Sequence, residues 1–507
     1  MTASNTQADF PPTMTNDSST PISDRASRTS ERAIRLPLRT KLAYASGAAV
    51  ESIISNSLNI FLLFYVTAVC GLSGGLAGAA LAIGLVVDAV AEPLIGSISD
   101  GLQSRLGRRL PLMIIGLPVV VISFVLTFSL PADLSQTQLF LLLVALSTAL
   151  RISLSVFNLP YIALGAELSD DYVERSKIAV WRWGTGVLGA LVALAVGFTV
   201  FFKGADGLAQ RAAYQPYAMT LTVAIIVLAL ISMRAVFATR NRQHAAPANK
   251  PGWIRSLVAE VIEVLSNRSF RLLFISALLF FTAQGVTSTL GLHANTYFWR
   301  LSSAQVQMVT LAFVLGLLLG APIAGSIVAL MEKRTALFAS LCGLILAQGS
   351  PVTLRLLGWL PLEGQALAMT LAITTAIGGG LMTIAAVAFM SMMADAADEH
   401  ELLFGARREG LYFAGWSFAG KAATGGGALI SGLVLQTIAF PANLASKGVV
   451  AAALPASTTN WLGFFYGPGA AVLSLAGVLV VLWYPINRRM HAAIMAELAR
   501  RRTEPAE

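Results

Sequence analysis

From Gly84 to Arg109 the chain reads GLVVDAVAEPLIGSISDGLQSRLGRR, an apolar helical stretch that carries two carboxylates and then ends in a basic, glycine-punctuated turn. Between Gly74 and Ile98 the only ionisable residues are Asp88 and Glu92, and their i, i+4 spacing puts both on one helix face. With the aqueous boundary near Asp100, Asp88 lies roughly 18 Å deeper at about 1.5 Å per residue, close to the middle of a hydrocarbon core about 30 Å thick. Carboxylates are costly at that depth and ordinarily face a polar cavity, so the pair points to a cation or proton site. Pro93 lacks an N–H, which frees the carbonyl of Ala89 beside the two acids and adds an oxygen to such a site.

The rest of the chain supplies the membrane. Of 507 residues, 56% are hydrophobic and only 12% charged, and the mean hydropathy is +0.72, far above a soluble protein. Apolar segments of spanning length fall at about 42–69, 74–98, 111–131, 138–165, 178–202, 217–239, 269–294, 303–331, 335–356, 366–393, 410–438 and 460–485. Twelve spans put both ends of the chain on one side. Opposite loops hold only Lys203, Arg211, Arg300, Arg355 and Lys447, while the other loop Lys and Arg lie on the side of the termini. That bias predicts cytoplasmic termini and a multi-pass protein of the inner (plasma) membrane. The net charge of +9 follows from the same bias, and no extended basic patch suggests nucleic acid. Cys70 and Cys342 imply neither a disulfide framework nor a metal site.

The predicted organisation is a disordered cytoplasmic tail at 1–34, a six-helix bundle at 35–240, a cytoplasmic linker at 241–268 with an interfacial helix from Trp253, a second six-helix bundle at 269–486, and a tail at 487–507. Residues 1–34 have no apolar core and so do not read as a cleavable signal peptide. The halves echo each other. GAELSDDYVERSK after the fourth span and ADAADEHELLFGARRE after the tenth each place an acidic cluster before basic residues. Two similar six-helix halves are the pattern of rocker-type secondary transporters, whose site lies between the halves. The fold class expected is therefore all-α, polytopic, with two pseudo-symmetric six-helix bundles.

Several ordered motifs make the chain resemble the glycoside-pentoside-hexuronide:cation symporters, the melibiose-permease-like branch of the major facilitator superfamily. They run from KLAYASGA at Lys41, DAVAEPLIGSISD at Asp88 and SRLGRR at Ser104, through NLPYIALGAELSDDYVERS at Asn158 and RWGTG at Arg182, to MADAADEHE at Met393 and AGKAATGGGAL at Ala419. The resemblance implies a cation site at Asp88 and Glu92 with a hydroxyl from Ser155. It also implies a substrate cavity using Ser52, Asn158, Arg182, Trp416, Ser417 and Lys421. The chain departs from the melibiose-type pattern at Ser52 and Asn158, where that pattern has acids, and at Ile162 and Ala91. A galactoside does not transfer with the family.

Lys421 lies too deep for easy snorkelling; pairing with Asp88 or Glu92 would offset both desolvation costs, and ion loading would then compete with that pair. Sodium needs several oxygens around it, whereas a proton needs one carboxylate able to hold it, so H⁺ is favoured over Na⁺ as coupling ion; no other cofactor is expected. Tyr161, Trp183, Tyr412 and Trp416 are candidates to stack on a sugar ring, with helix packing as the plainer role. His293 reads as interfacial and Arg151 as structurally paired. Asp100, Arg105, Arg108, Arg109 and Glu167 in one half, with Asp395 and Asp398 in the other, are candidate salt-bridge latches at the cytoplasmic side. The function expected is cation-coupled symport of a sugar, glycoside or uronide by a monomer in the lipid bilayer. The rival is transport of an amphipathic, lipid-like substrate. No phosphate loop, metal cluster or sizeable outer loop suggests an enzyme.

Overall fold

The computed structural model describes residues 36–102, 104–169, 171–204, 207–240, 253–406, 408–441 and 454–503. The tail at 1–34 and residues 241–252 of the segment between the halves lie outside them. Helix α1 (Leu38–Ser57) runs on through π-helical turns at Leu58–Leu62 and Tyr65–Val69. The first half continues with α2 (Gly74–Gly101), α3 (Leu110–Thr127), α4 (Gln136–Glu167), α5 (Tyr172–Ala195, extended by a π turn at Val196–Phe201) and α6 (Arg211–Ala238). After α7 (Trp253–Ser266), the second half comprises α8 (Arg268–His293), α9 (Ser303–Leu330), α10 (Lys333–Leu356), α11 (Gly364–Phe404), α12 (Glu409–Thr437) and a last span made of α13 (Ala456–Phe464) and α14 (Ala470–Val481). α15 (Arg488–Thr503) closes the described chain.

Among the described residues, 11 helical segments are long and apolar enough to cross a membrane. The remaining segment predicted to span is the α1 rod, whose Glu51, Ser52, Ser55, Asn56 and Asn59 lower its hydropathy because they serve the interior. The fold is an all-α polytopic membrane protein. On α2, Val86, Val90 and Leu94 are exposed at i, i+4 steps, and Asp88 and Glu92 lie on the opposite face. Burial thus turns the acids inward and the valines toward the apolar surroundings.

The two halves carry the same backbone signature. At the end of α1, Cys70 N–H donates to Tyr65 O and Leu72 N–H to Val66 O; after α8, Trp299 N–H donates to Ala294 O and Leu301 N–H to Asn295 O. Gly71 (φ 80°) and Arg300 (φ 55°) hold the same place in the two turns. In the same register PLIGSI of α2, from Pro93, matches PIAGSI of α9, from Pro322. The positions of Asp88 and Glu92 are filled there by Leu317 and Ala321, so this helix packs without carboxylates and the acids are not demanded by the fold.

The halves meet chiefly where α2 lies along α12, while the related pair α5 and α9 touches far less. A Cβ on Gly74 would stand 2.6 Å from Gly432 O, and one on Gly78 2.8 Å from Ala428 O; only glycine allows that approach. Further contacts at this end are Ser303 Oγ donating to Gly204 O at 2.9 Å and the Phe64–Tyr297 ring stack. Toward the end carrying the termini the seam loosens: a Cβ on Gly96, Gly410 or Gly420 would meet nothing within 4 Å. The cleft therefore opens at the terminal end and is closed at the other.

Arg300 sits in the left-handed region, which costs a non-glycine residue on the order of 1 kcal/mol. Thermal unfolding of the purified protein is expected to show Arg300→Gly more stable than Arg300→Ala by about 1 kcal/mol. Equal stabilities would mean that the turn relaxes out of this conformation.

Candidate functional site

At the inner limit of the α2–α12 seam, Lys421 is placed between the two acids. Its Nζ bonds Glu92 Oε1 and lies 3.7 Å from Asp88 Oδ2. From α4, Ser155 Oγ donates to Asp88 Oδ1 at 2.5 Å and lies 3.5 Å from Glu92 Oε1. Three helices from two halves thus converge on one ionic centre, and Asp88 is buried. A cavity of about 210 Å³ adjoins it, lined by these four residues together with Glu51, Ser55, Asn59, Arg151 and Asn158 among others. Glu51, Ser55 and Asn59 follow at i, i+4, i+8 along α1, and Arg151, Ser155 and Asn158 at i, i+4, i+7 along α4. Each triplet is one face of its helix.

The lining acids are Glu51, Asp88 and Glu92; the lining bases are Arg151 and Lys421. Arg182, off the lining, also comes within electrostatic reach of Glu51, so acids and bases around the cavity are matched three to three. Arg151 comes within electrostatic reach of Asp88, while its Nε, like Asn158 Oδ1, has no hydrogen-bond partner among the described residues. Unpaired polar atoms at this depth are costly, and here they point to a ligand or water in the cavity.

The structure brings Asp88, Glu92 and Ser155, expected as cation residues, onto one cavity with Asn158 and Lys421, expected as substrate residues. The other expected substrate residues are not on this cavity. Ser52 accepts from Asn56 Nδ2 at 3.3 Å, and its neighbour Glu51 takes the cavity face instead. Tyr161 is buried, stacked on Tyr44 at 4.7 Å, and Arg182 sits over the Tyr161 ring at 5.5 Å. Trp416 packs between Phe281 and Phe389 at 4.9 and 5.0 Å. Ser417 is exposed beyond Lys421 toward the open end. Tyr412 is buried against Phe270 and His400. These aromatic groups have packing partners within one half, which the sequence alone does not reveal. Glu51, Ser55 and Asn59 line the cavity and were not among the residues expected from sequence; the four-residue spacing of polar groups along α1 was the available signal.

The charged clusters at the terminal end are bonded within their own halves in this state, in which the cleft is open here; the latch expected between halves belongs to the outward-facing state, in which this end is closed. Arg108 and Arg109 both reach Glu167 Oε1 at 2.5 Å, and Arg109 also donates to Ser99 at 2.8 Å, all within the first half. The turn that aims them uses Gly107 (φ 90°), with Ser104 Oγ bridging Leu106 N–H and Gly107 O. In the second half Lys333 bonds Asp395 at 2.7 Å and His491 of α15 bonds Asp398 at 3.1 Å. Glu263 of α7 is joined to His400 at 3.0 Å, and Arg408 to Glu260 at 3.2 Å. Each cluster clasps its own half because the cleft is open here. Arg105 is exposed, and the Asp100 side chain lies outside the described atoms. His293 is not interfacial: it is fully buried at the closed end, where Nε2 pairs with Thr67 Oγ1 at 2.8 Å across the two halves.

Two six-helix halves around an ionic cavity open at one end define a multi-pass membrane transporter. Residues 43–488 match the MFS/sugar transport protein family, and the chain belongs to it. It is 25% identical to the uncharacterized symporter sll1374 of Synechocystis sp., over 92% of this chain and 97% of that one. It is 23% identical to the glucuronide carrier protein homolog of Escherichia coli, over 92% and 97%. A shorter stretch, 35% of this chain and 33% of the other, is 32% identical to the sodium-dependent lysophosphatidylcholine symporter 1 of Gallus gallus. In fold the chain is similar to the crystal structure of the nucleoside transporter NupG, with a TM-score of 0.58 at 15% identity over 88% of this chain and 100% of that one.

Lys421 and Glu92 are part-buried partners of one ion pair, and removing one leaves the charge of the other uncompensated. Lys421→Ala is expected to lower stability more than Lys421→Ala combined with Glu92→Gln, with a coupling of about 2 kcal/mol in a double-mutant cycle of thermal unfolding. Additive effects would deny the pair.

Proposed function

We propose that this protein is a cation-coupled symporter of a sugar, glycoside or uronide, working by alternating access with H⁺ as the favoured coupling ion. The observation that carries the reading is Lys421 of one half on Glu92 and Asp88 of the other, at a shared cavity. A proton on Glu92 removes the charge that holds Lys421. A sodium ion needs oxygens on several sides, and the ammonium already occupies the space between the acids. Loading and the Lys421 pair are therefore mutually exclusive, which ties ion binding to the α2–α12 seam joining the halves.

With cytoplasmic termini in the inner membrane, the open end faces the cytoplasm, and the contacts at the closed end must part to admit substrate. Transport of an amphipathic lipid is a second reading, favoured by the partial match to a lysophosphatidylcholine symporter and by Ile162, which is exposed.

The test is uptake into intact cells of labelled methyl β-glucoside, methyl β-glucuronide and lysophosphatidylcholine. Accumulation of a sugar probe is expected to rise with acid outside, to collapse with an uncoupler and to ignore sodium. Sodium-driven uptake untouched by uncouplers would overturn the proton assignment, and uptake of the lysolipid alone would overturn the sugar. Lys421→Ala is expected to lower accumulation at least tenfold; full accumulation in that variant would remove Lys421 from the coupling mechanism.

A further inference from the structure

A second cavity, of about 270 Å³, lies on the closed side of the ionic one, between α1 and the second half. Its polar lining is built from amides and hydroxyls, chiefly Asn56, Asn59, Gln284, Asn295, Gln348 and Tyr466, and it contains no Asp, Glu, Lys, Arg or His. Asn59 lines both cavities and is exposed although it lies within the membrane-spanning rod. The chambers are thus neighbours that share a wall. Gln284 Nε2 lies 3.5 Å from Gln348 Oε1, the outer limit of a hydrogen bond, so this contact leaves most of the donor and acceptor capacity of the two amides for a third group.

We propose that this amide-lined chamber is a second subsite, which holds an uncharged, hydroxyl-bearing ring of the transported molecule while the ionic chamber holds the coupling ion. The chemistry selects that class. Each amide offers donors and acceptors together, and a hydroxyl is the group that answers both. An anion would be desolvated there with no cation to meet it, and an acyl chain would leave the amides unpaired. Tyr466, with Trp299 and Phe313 on the same lining, gives ring faces for the apolar edge of a sugar. A volume near the lower end of small-molecule sites, roughly 300 Å³ and upward, suits one ring rather than an extended lipid. Both halves contribute walls, so filling the chamber holds them together at the closed end.

The proposal rests on the ionic cavity being the transport site, and the test separates the two. Purified full-length protein in lipid nanodiscs is titrated with a panel of neutral methyl glycosides and free hexoses and pentoses, with methyl β-glucuronide and with lysophosphatidylcholine, and ligand-induced shifts in melting temperature are followed. At least one neutral hydroxylated probe is expected to bind. Gln348→Leu and Gln284→Leu are each expected to weaken it at least tenfold, while Val223→Ala on the exposed outer face of α6 leaves its affinity within threefold. Thr374→Val replaces either glutamine variant if that variant does not fold. Binding of a neutral probe that survives every lining substitution, or a panel in which no neutral probe binds, overturns the second subsite. Loss of neutral-probe binding in Lys421→Ala with none in the glutamine variants places the sugar in the ionic chamber and also overturns it. Proton-driven uptake that persists in Lys421→Ala, with glutamine-dependent binding intact, instead overturns the coupling role of Lys421 alone.

Discussion

The ammonium of Lys421, held between Glu92 and Asp88, is the interaction on which the arrangement turns. Two acids and a lysine meet at the edge of the cleft, Asp88 buried and Glu92 and Lys421 part-buried, at a depth where an unpaired charge is costly. Each makes the others possible. Because the lysine belongs to one half and the acids to the other, their mutual need fastens the halves at that depth.

The surrounding packing gives the ionic centre its leverage. On one side of it α2 and α12 approach so closely that Gly74, Gly78 and Gly432 admit no side chain; on the other, Gly96 and Gly410 face open space. The ion pair stands where close packing gives way to the cleft. At the open end the arginines that reach Glu167 and the lysine and histidine that reach Asp395 and Asp398 hold each half rigid. Two rigid bodies joined by a compact seam and one exchangeable ionic contact are the mechanical requirement of alternating access.

Comparison of the halves separates what the fold needs from what the site needs. α2 and α9 share the proline, the PxxGSI run and the preceding turn with a left-handed residue, Gly71 or Arg300. Yet α9 carries Leu317 and Ala321 where α2 carries Asp88 and Glu92. Duplicate scaffolds with acids in only one copy put the charge on the side of chemistry rather than packing.

Most of this architecture is written in local sequence. Long apolar runs must be helical in a bilayer, since the backbone has no other way to satisfy its polar groups; isolated acids within them must face inward; and four-residue spacing fixes which residues share a face. Asp88, Glu92 and Ser155 were legible on those grounds and from the resemblance their motifs carry. What remained for the tertiary structure was partnership between distant segments. Whether Tyr161 meets a substrate or Tyr44, whether Trp416 meets a sugar or Phe281, whether Ser52 or Glu51 turns to the cavity, and whether Glu167 bridges the halves or stays within one depend on helix rotation and on which face of the molecule is closed. Helical period constrains a residue relative to its own neighbours, but rotation and closure are set by packing against helices hundreds of residues away. Hence the sequence by itself determined a twelve-span transporter with an ionic centre, and only the packed structure decided which side chains complete it.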